Sequence, residues 1–423
     1  MIRIIKAGPN TQDEIFSRVV ADVDVASIVK NIIDDVRARG DEAVLDLTEK
    51  FDGVRPSPLR VSQEEIDEAY GLIDPEFRRI LEEAAENIRS FHKNQIREGF
   101  KLEYPDGKIL GQKITPIERV GLYVPGGTAC YPSTVLMDSI PAKIAGCSKI
   151  QIVSPPNPDG SIDPKILVAA DIAGVTDIYK VGGAQAVAAL AYGTASIPPV
   201  DKIVGPGNAF VAEAKKQVFG KVAIDMIAGP SEIMIIADES ARPDWVAADL
   251  LSQAEHDKMA TAVLITDSMD LAERTSKEVE RQLSILPREE IARPSIDNNG
   301  KIIVCSMDDA VNYANLLAPE HLELCVKEPF AMLDRIENAG SVFLGNHCPE
   351  AFGDYMAGPN HTLPTGGTAR FSNPLSVDDF VKKTQFSYFT EDAFLTLADK
   401  VSFFAKKEGL DAHSRSVEVR MNK

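Results

Sequence analysis

The chain has 423 residues, 44% hydrophobic and 26% charged, the balance of a globular protein too long for one ordinary core, so two or more domains are expected. Its formal charge of −19 argues against nucleic acid or an anionic membrane surface as partner. No apolar stretch approaches the roughly 18 residues of a membrane span, and the N-terminus MIRIIKAGPNTQDEIF lacks a long apolar run and a small-residue cleavage site, so the expected address is cytoplasmic.

Residues 20 to 100 read as largely helical. SQEE at 62–65 is a capping box, Ser62 with Glu65, and DPEFRRILEEAAENIRSFHKNQI runs apolar at helical spacing. From about 121 to 235, GLYVPGG, KIQIVSPP, DIYKVGG and KIVGPG are short β-rich runs ending in Gly or Pro. Helical segments separate them, which predicts parallel βαβ units. A second alternating set follows, from WVAADLLSQAEHDKMA through TAVLITD and KIIVCSM to SVFLG. Residues 376–423 carry seven aromatics (Phe380, Phe386, Tyr388, Phe389, Phe394, Phe403, Phe404) among many charges, too much aromatic surface for a solvated tail. The five cysteines (Cys130, Cys147, Cys305, Cys325, Cys348) are scattered, without a C-x-x-C pair. That spacing fits neither a disulfide framework nor a cysteine zinc site. Cys348 lies near the motifs below, but nothing beside it in sequence would lower its pKa.

Ligands of parallel sheets bind beyond the carboxyl ends of strands, where glycine turns meet helix N-termini. YVPGGTACYPS (123–133), VGGAQA (181–186) and VGPGNAF (204–210) are three such turns, although none contains G-x-G-x-x-G. Each alone is as readily a tight connection; together they suggest a ligand-binding edge. In LLSQAEHD (250–257), Gln253 and His256 share a helix face. They are either polar residues at the rim of a buried helix or half of a site. APEHLEL (318–324) places Glu320 beside His321, residue types for acid–base work near neutral pH, or else a charged pair at a strand start. GDYMAGPNHTLPTGGTARF (353–371) fits no simple secondary structure, and a long loop of that composition is more often functional than idle. EGLDAHSRSVEVR (408–420) adds Glu408 and His413. Four of the six histidines (His256, His321, His361, His413) fall in these stretches.

Taken in order, YVPGGTACYPS, VGGAQA, KIVGPGN, AGPSE, LLSQAEHD, APEHLE, GDYMAGPNHTLPTGGTARF and AHSRSV resemble histidinol dehydrogenase over nearly the whole chain. This family is zinc- and NAD-dependent and performs the last two steps of histidine biosynthesis. The one departure noticed is Cys130, where an alanine is more familiar. The resemblance implies a zinc ion in each subunit held by Gln253, His256, Asp354 and His413, with the substrate L-histidinol also touching Ser231, His321, His361 and Glu408. It implies NAD contacts from Tyr123, Gln185 and Asn208, and catalysis by Glu320 and His321. A glutamine is an unexpected zinc ligand on composition alone.

The fold implied is α/β, with two incomplete Rossmann-like parallel sheets, short N- and C-terminal helical segments, and an intertwined homodimer with shared active sites. The expected divisions are an N-terminal segment 1–19, a larger domain 20–122 plus 231–375 bearing zinc and catalytic residues, an NAD-binding domain 123–230, and a helical tail 376–423 packing on the partner. A zinc hydrolase using Glu320 and His321 to activate water is the competing expectation. A metal-stabilised binding module without catalysis is a third.

Overall fold

The computed structural model describes residues 2–17, 25–126 and 130–421. Gly127, Thr128 and Ala129 of the first glycine turn, and the expected boundary at 19/20, lie outside the described residues. The chain forms two compact units, Met1–Gln95 with Ile117–Phe380 and Ile96–Pro116 with Val381–Lys423.

The first unit holds two parallel sheets. Six strands run in the order Arg3–Lys6, Lys301–Val304, Thr261–Thr266, Glu232–Ala237, His321–Cys325, Ser341–Leu344, every neighbouring pair parallel. Five strands form the other sheet: Asp177–Lys180, Lys149–Ser154, Arg119–Tyr123, Lys202–Val204, Ala223–Ile224, again all parallel. Runs such as EIMIIA and TAVLIT are apolar on both sides because helices cover both faces. Ile233, Ile235 and Leu264 pack with Val246 and Leu250 on one face of the six-stranded sheet, while Ile236, Ile265 and Leu322 meet Ala310 and Ala314 on the other.

In the five-stranded sheet, Val120, Leu122 and Ile152 face Leu136 and Leu167, and Tyr123, Val153 and Ile203 face Val187 and Val211. Helices Ala26–Arg39 and Asp41–Asp52 close their apolar side on this second layer through Val29, Ile32 and Val36. Strand Arg119–Tyr123 also belongs to this sheet. Helical periodicity shows that a helix has an apolar face, not which sheet receives it. The capping box of helix Gln63–Leu72 is present, with Glu65 N donating to Ser62 Oγ at 3.2 Å and Ser62 N to Glu65 Oε2 at 2.9 Å.

The terminal segments are not purely helical, as the sequence suggests they would be. Arg3–Lys6 is an edge strand pairing with Lys301–Val304, and Val381–Tyr388 pairs antiparallel with Ile109–Pro116, itself paired with Phe100–Glu103. RIIK and VKKTQFSY carry β-branched and aromatic residues, and each finds its partner strand far away in sequence, where no local pattern reveals it. Helices Glu391–Lys407 and Asp411–Met421 complete the second unit. No helix among the described residues is long and apolar enough to cross a membrane.

Candidate active site and metal centre

Helix Met307–Leu317 ends at Ala318, whose φ of 46° is left-handed, and Pro319 forbids its continuation. The chain turns at once into strand His321–Cys325, with Glu320 and His321 buried at its amino end. Gly340 makes this possible, since a Cβ there would stand 2.5 Å from the Glu320 carbonyl oxygen. The backbone of Glu232, on the adjacent strand, holds both side chains. Its N–H donates to Glu320 Oε2 at 2.8 Å, and its carbonyl oxygen lies 3.1 Å from His321 Nδ1.

A carbonyl only accepts, so Nδ1 carries the ring proton and Nε2 is the basic nitrogen. Nε2 is buried and without a partner. Burial pushes the His321 pKa down to about 4, with Asp354 pulling the other way. Burial also raises the Glu320 carboxyl well above its usual range. The pair presents a neutral imidazole with a free lone pair beside a buried carboxyl group.

Gln253 lies in the last turn of helix Pro243–Ala254, and His256 N donates to its carbonyl at 3.2 Å in the turn that follows. The Gln253 side chain is 0% exposed, yet neither its amide oxygen nor its nitrogen has a partner. Leaving a buried polar group unpaired costs about 1–3 kcal/mol, so such an amide points to a ligand. Asp354 projects from helix Glu350–Tyr355, and the ligand atoms of His256, Glu350 and Asp354 all lie within 4.8 Å of one another. That spread suits one ion at ordinary metal–nitrogen and metal–oxygen distances of about 2.0–2.2 Å. The residues present therefore fit a divalent metal.

His361 stands beside this group, with Nδ1 3.2 Å from the Asp354 carbonyl oxygen and Nε2 3.2 Å from Thr134 Oγ1. Ser231 directly precedes strand Glu232–Ala237, and its carbonyl accepts from Thr261 N at 3.0 Å. These residues gather at the amino ends of the six-stranded sheet. A cleft of about 550 Å³, with His256, Tyr131, Met137 and Tyr355 in its walls, opens beside them.

The five-stranded sheet uses its opposite edge. Tyr123 is the last residue of its strand, and its hydroxyl accepts from Gly183 N at 3.0 Å. Burial holds that phenol up at about 12, so it stays a hydrogen-bond donor as well. Gln185 lies in the first turn of helix Gly183–Tyr192, 1% exposed, and both its amide atoms lack partners. Asn208 caps helix Ala209–Val218, its Oδ1 accepting from Phe210 N at 3.0 Å and Val211 N at 3.2 Å. Tyr123, Gln185 and Asn208 thus lie at or just beyond the carboxyl ends of strands, where parallel sheets take ligands.

A sequence profile of histidinol dehydrogenase matches residues 17–421. The histidinol dehydrogenase of Geobacillus kaustophilus is 56% identical over 396 residues, 93% of either chain. That of Bacillus cereus is 54% identical over 420 residues, 99% of this chain and 96% of its own. A crystal structure of histidinol dehydrogenase from Elizabethkingia anophelis superposes with a TM-score of 0.95 at 40% identity, covering 99% of this chain and 98% of that one. The chain belongs to the histidinol dehydrogenase family. Membership makes it an oxidoreductase and sets aside the hydrolase and binding-module expectations.

Of the positions that the resemblance to histidinol dehydrogenase marks, Ser231, Gln253, His256, Glu320, His321, Asp354 and His361 sit on the first unit's amino edge. Glu408 and His413 lie in the second unit, both exposed, at the end of helix Glu391–Lys407 and in the first turn of Asp411–Met421. The sequence reading passes over Glu350, because it takes the polar stretch as a loop beginning at Gly353. The spacing of Glu350 and Asp354, four residues apart on one helix face, is the signal that would have found it. Burial pushes the thiols of Cys130 and Cys305 up to about 12 and Cys147 to about 11, and raises Cys325 too, which disfavours the nucleophilic thiolate at these four.

Proposed function

We propose that the protein oxidises L-histidinol to L-histidine through L-histidinaldehyde with two NAD, in the cytoplasm, using one zinc ion per subunit. The observation that carries this reading is His321: a buried imidazole whose tautomer is set by the Glu232 carbonyl and whose Nε2 faces the site without a partner. Zinc held by Gln253, His256, Asp354 and His413 would orient the substrate through its imidazole and amine nitrogens. NAD along Tyr123, Gln185 and Asn208 would accept the hydride in each oxidation.

The chain's own residues do the proton work. His321 Nε2 takes the hydroxyl proton in the alcohol step, and the Nδ1 bond to the Glu232 carbonyl stabilises the imidazolium that results. Glu320 activates the water that hydrates the aldehyde, and His321 assists the second oxidation. Ser231, His361 and Glu408 position the substrate. Burial of both catalytic groups keeps bulk water away from the intermediate. Function divides along the two Rossmann-like sheets: residues 231–375 supply the metal and the base, and the turns within 123–230 supply the cofactor edge.

We read the working form as a homodimer with shared sites. In the second unit Phe386, Tyr388, Phe389, Phe403 and Phe404 are 38–65% exposed, an aromatic surface that favours a partner. A second copy packed there would receive Glu408 and His413. Refolding His413→Asn together with His321→Asn tests this, because exchanged tails give each mixed dimer one intact site and restore activity. A mixture that stays dead although dimers have exchanged rejects sharing.

The activity itself is tested by absorbance of reduced nicotinamide on adding NAD and histidinol. Two NADH form per histidinol, with almost no free aldehyde. A carbonyl trap that intercepts most of the flux overturns the coupling.

A further inference from the structure

Behind the carboxyl edge of the five-stranded sheet lies an ion pair that none of these roles uses. Lys215, in helix Ala209–Val218, and Asp225, just after strand Ala223–Ile224, pair with side chains 2% and 1% exposed. Both act on one residue. Asp225 Oδ2 accepts from Gly205 N at 2.8 Å, and Lys215 Nζ donates to the Gly205 carbonyl oxygen at 2.8 Å. Hydrogen bonds to ionised partners are about twice as strong as neutral ones. The carboxylate is itself anchored, since its Oδ1 accepts from Met226 N at 2.6 Å.

Gly205 opens the turn 205–208, which ends at Asn208. Its φ is 111°, and a Cβ there would stand 2.2 Å from the Tyr123 carbonyl oxygen, so its backbone lies directly on that of Tyr123. Tyr123 is tied in turn, through its hydroxyl, to Gly183 N at the head of the helix that carries Gln185. The segment bearing Asn208 is thus registered against those bearing Tyr123 and Gln185, and the clamp on Gly205 sets that register.

A buried ion pair is a poor device for stability alone, because well-packed hydrophobic residues of similar volume often do as well or better. It is a good device for direction. A carboxylate only accepts and an ammonium only donates, so the two together fix both polar groups of one residue in space. We propose that Lys215 and Asp225 are positioning residues for the cofactor, acting through the Gly205 backbone to present Asn208 to NAD; this rests on the reading of the carboxyl edge as the NAD site.

The test uses the full-length chain and NADH, whose fluorescence on binding reports affinity without turnover, beside thermal melts and the KM for histidinol at saturating NAD. Lys215→Met and Asp225→Asn each strand one buried partner and lower the melting temperature. The double variant K215M/D225N removes both charges together and melts near wild type, yet binds NADH at least about fivefold more weakly, the worth of one hydrogen bond. Its KM for histidinol does not move. Asp225→Glu keeps the charge but shifts the carboxylate by one methylene, and it too weakens NADH binding, which decides the matter if the double variant does not fold. Wild-type NADH affinity in the folded variants, or equal losses for NADH and histidinol, overturns positioning. Wild-type NADH affinity in Gln185→Leu as well would show instead that the reading of the carboxyl edge is at fault.

Discussion

The candidate site residues on the two parallel sheets of the first unit lie at opposite edges. On the five-stranded sheet, Tyr123, Gln185 and Asn208 occupy the carboxyl edge, where helix N-termini and backbone N–H groups converge and an anionic cofactor is welcome. On the six-stranded sheet, Ser231, Glu320 and His321 occupy the amino edge, and Gln253 arrives at the C-terminal end of its helix. Helix C-termini carry the negative end of the dipole, which suits a metal cation and a substrate amine. The two edges share one device: a buried glutamine with both amide atoms unpaired, Gln185 on one and Gln253 on the other. Sheet polarity thus gives the two edges helix ends of opposite sign, and each edge carries an unmet amide able to make a directed contact.

The largest effects are expected on the amino edge. His321→Asn removes a buried, unpartnered imidazole nitrogen and should lower both half-reactions by about 10²–10⁴-fold. Glu320→Gln should depress aldehyde oxidation more than alcohol oxidation, because only the second step consumes water. Rates measured separately from histidinol and from histidinaldehyde distinguish the two variants, and equal losses in Glu320→Gln would remove it from water activation.

A matched pair sharpens the comparison of edges. Gln253→Leu and Gln185→Leu each delete an unpaired buried amide, so both should fold with unchanged or raised thermal stability. Their losses should fall on different ligands. Gln253→Leu weakens zinc binding at least about tenfold, whereas Gln185→Leu raises the KM for NAD about fivefold, the worth of one hydrogen bond near 1 kcal/mol. Loss of the same ligand in both variants would dissolve the distinction.

Asn208 allows a finer cut. Its Oδ1 already caps a helix, so Asn208→Asp keeps the cap and removes only the amide donor. The aspartate should raise the KM for NAD at wild-type stability, while Asn208→Ala also loses about 1 kcal/mol of stability. Thermal melts beside cofactor titrations separate cap from contact.

A pH-dependent effect on stability is expected at Asp138, whose carboxyl oxygen accepts from Thr362 Oγ1 at 3.0 Å next to His361. Burial raises its pKa from 3.8 to about 8. The unfolded chain ionises there from about pH 4 upward, whereas the folded chain holds the proton to about 8, so folding grows more costly across that range and levels off above it. The melting temperature of Asp138→Asn should rise relative to wild type as pH goes from 4 to 8. A difference that stays flat with pH would place Asp138 in an ordinary ionised state.

Much of the site was legible because chemistry-bearing residues sit in short, unusual strings. Glu320 next to His321, and Gln253 three residues before His256, were recognisable as pairs, and glycine turns marked the carboxyl ends of strands before any strand order was known. Glu350 was not legible, because its place depends on a helix that starts at Glu350, just before a stretch that reads as loop. The strand Val381–Tyr388 was missed for a similar reason: its partner, Ile109–Pro116, is remote in sequence.

The amino-acid sequence by itself determined the alternation of strand and helix, and hence two parallel sheets, since apolar periodicity and glycine turns are local and each element announces its own type. It also determined which side chains can do chemistry. Only the tertiary structure decided that His321 presents a free Nε2, because its tautomer depends on a carbonyl of Glu232, many residues away and on another strand. Only the tertiary structure placed Ala26–Arg39 on the five-stranded sheet, and Glu350 within reach of His256. Distance, desolvation and the far end of a hydrogen bond are relations between remote segments, and a one-dimensional pattern does not contain them.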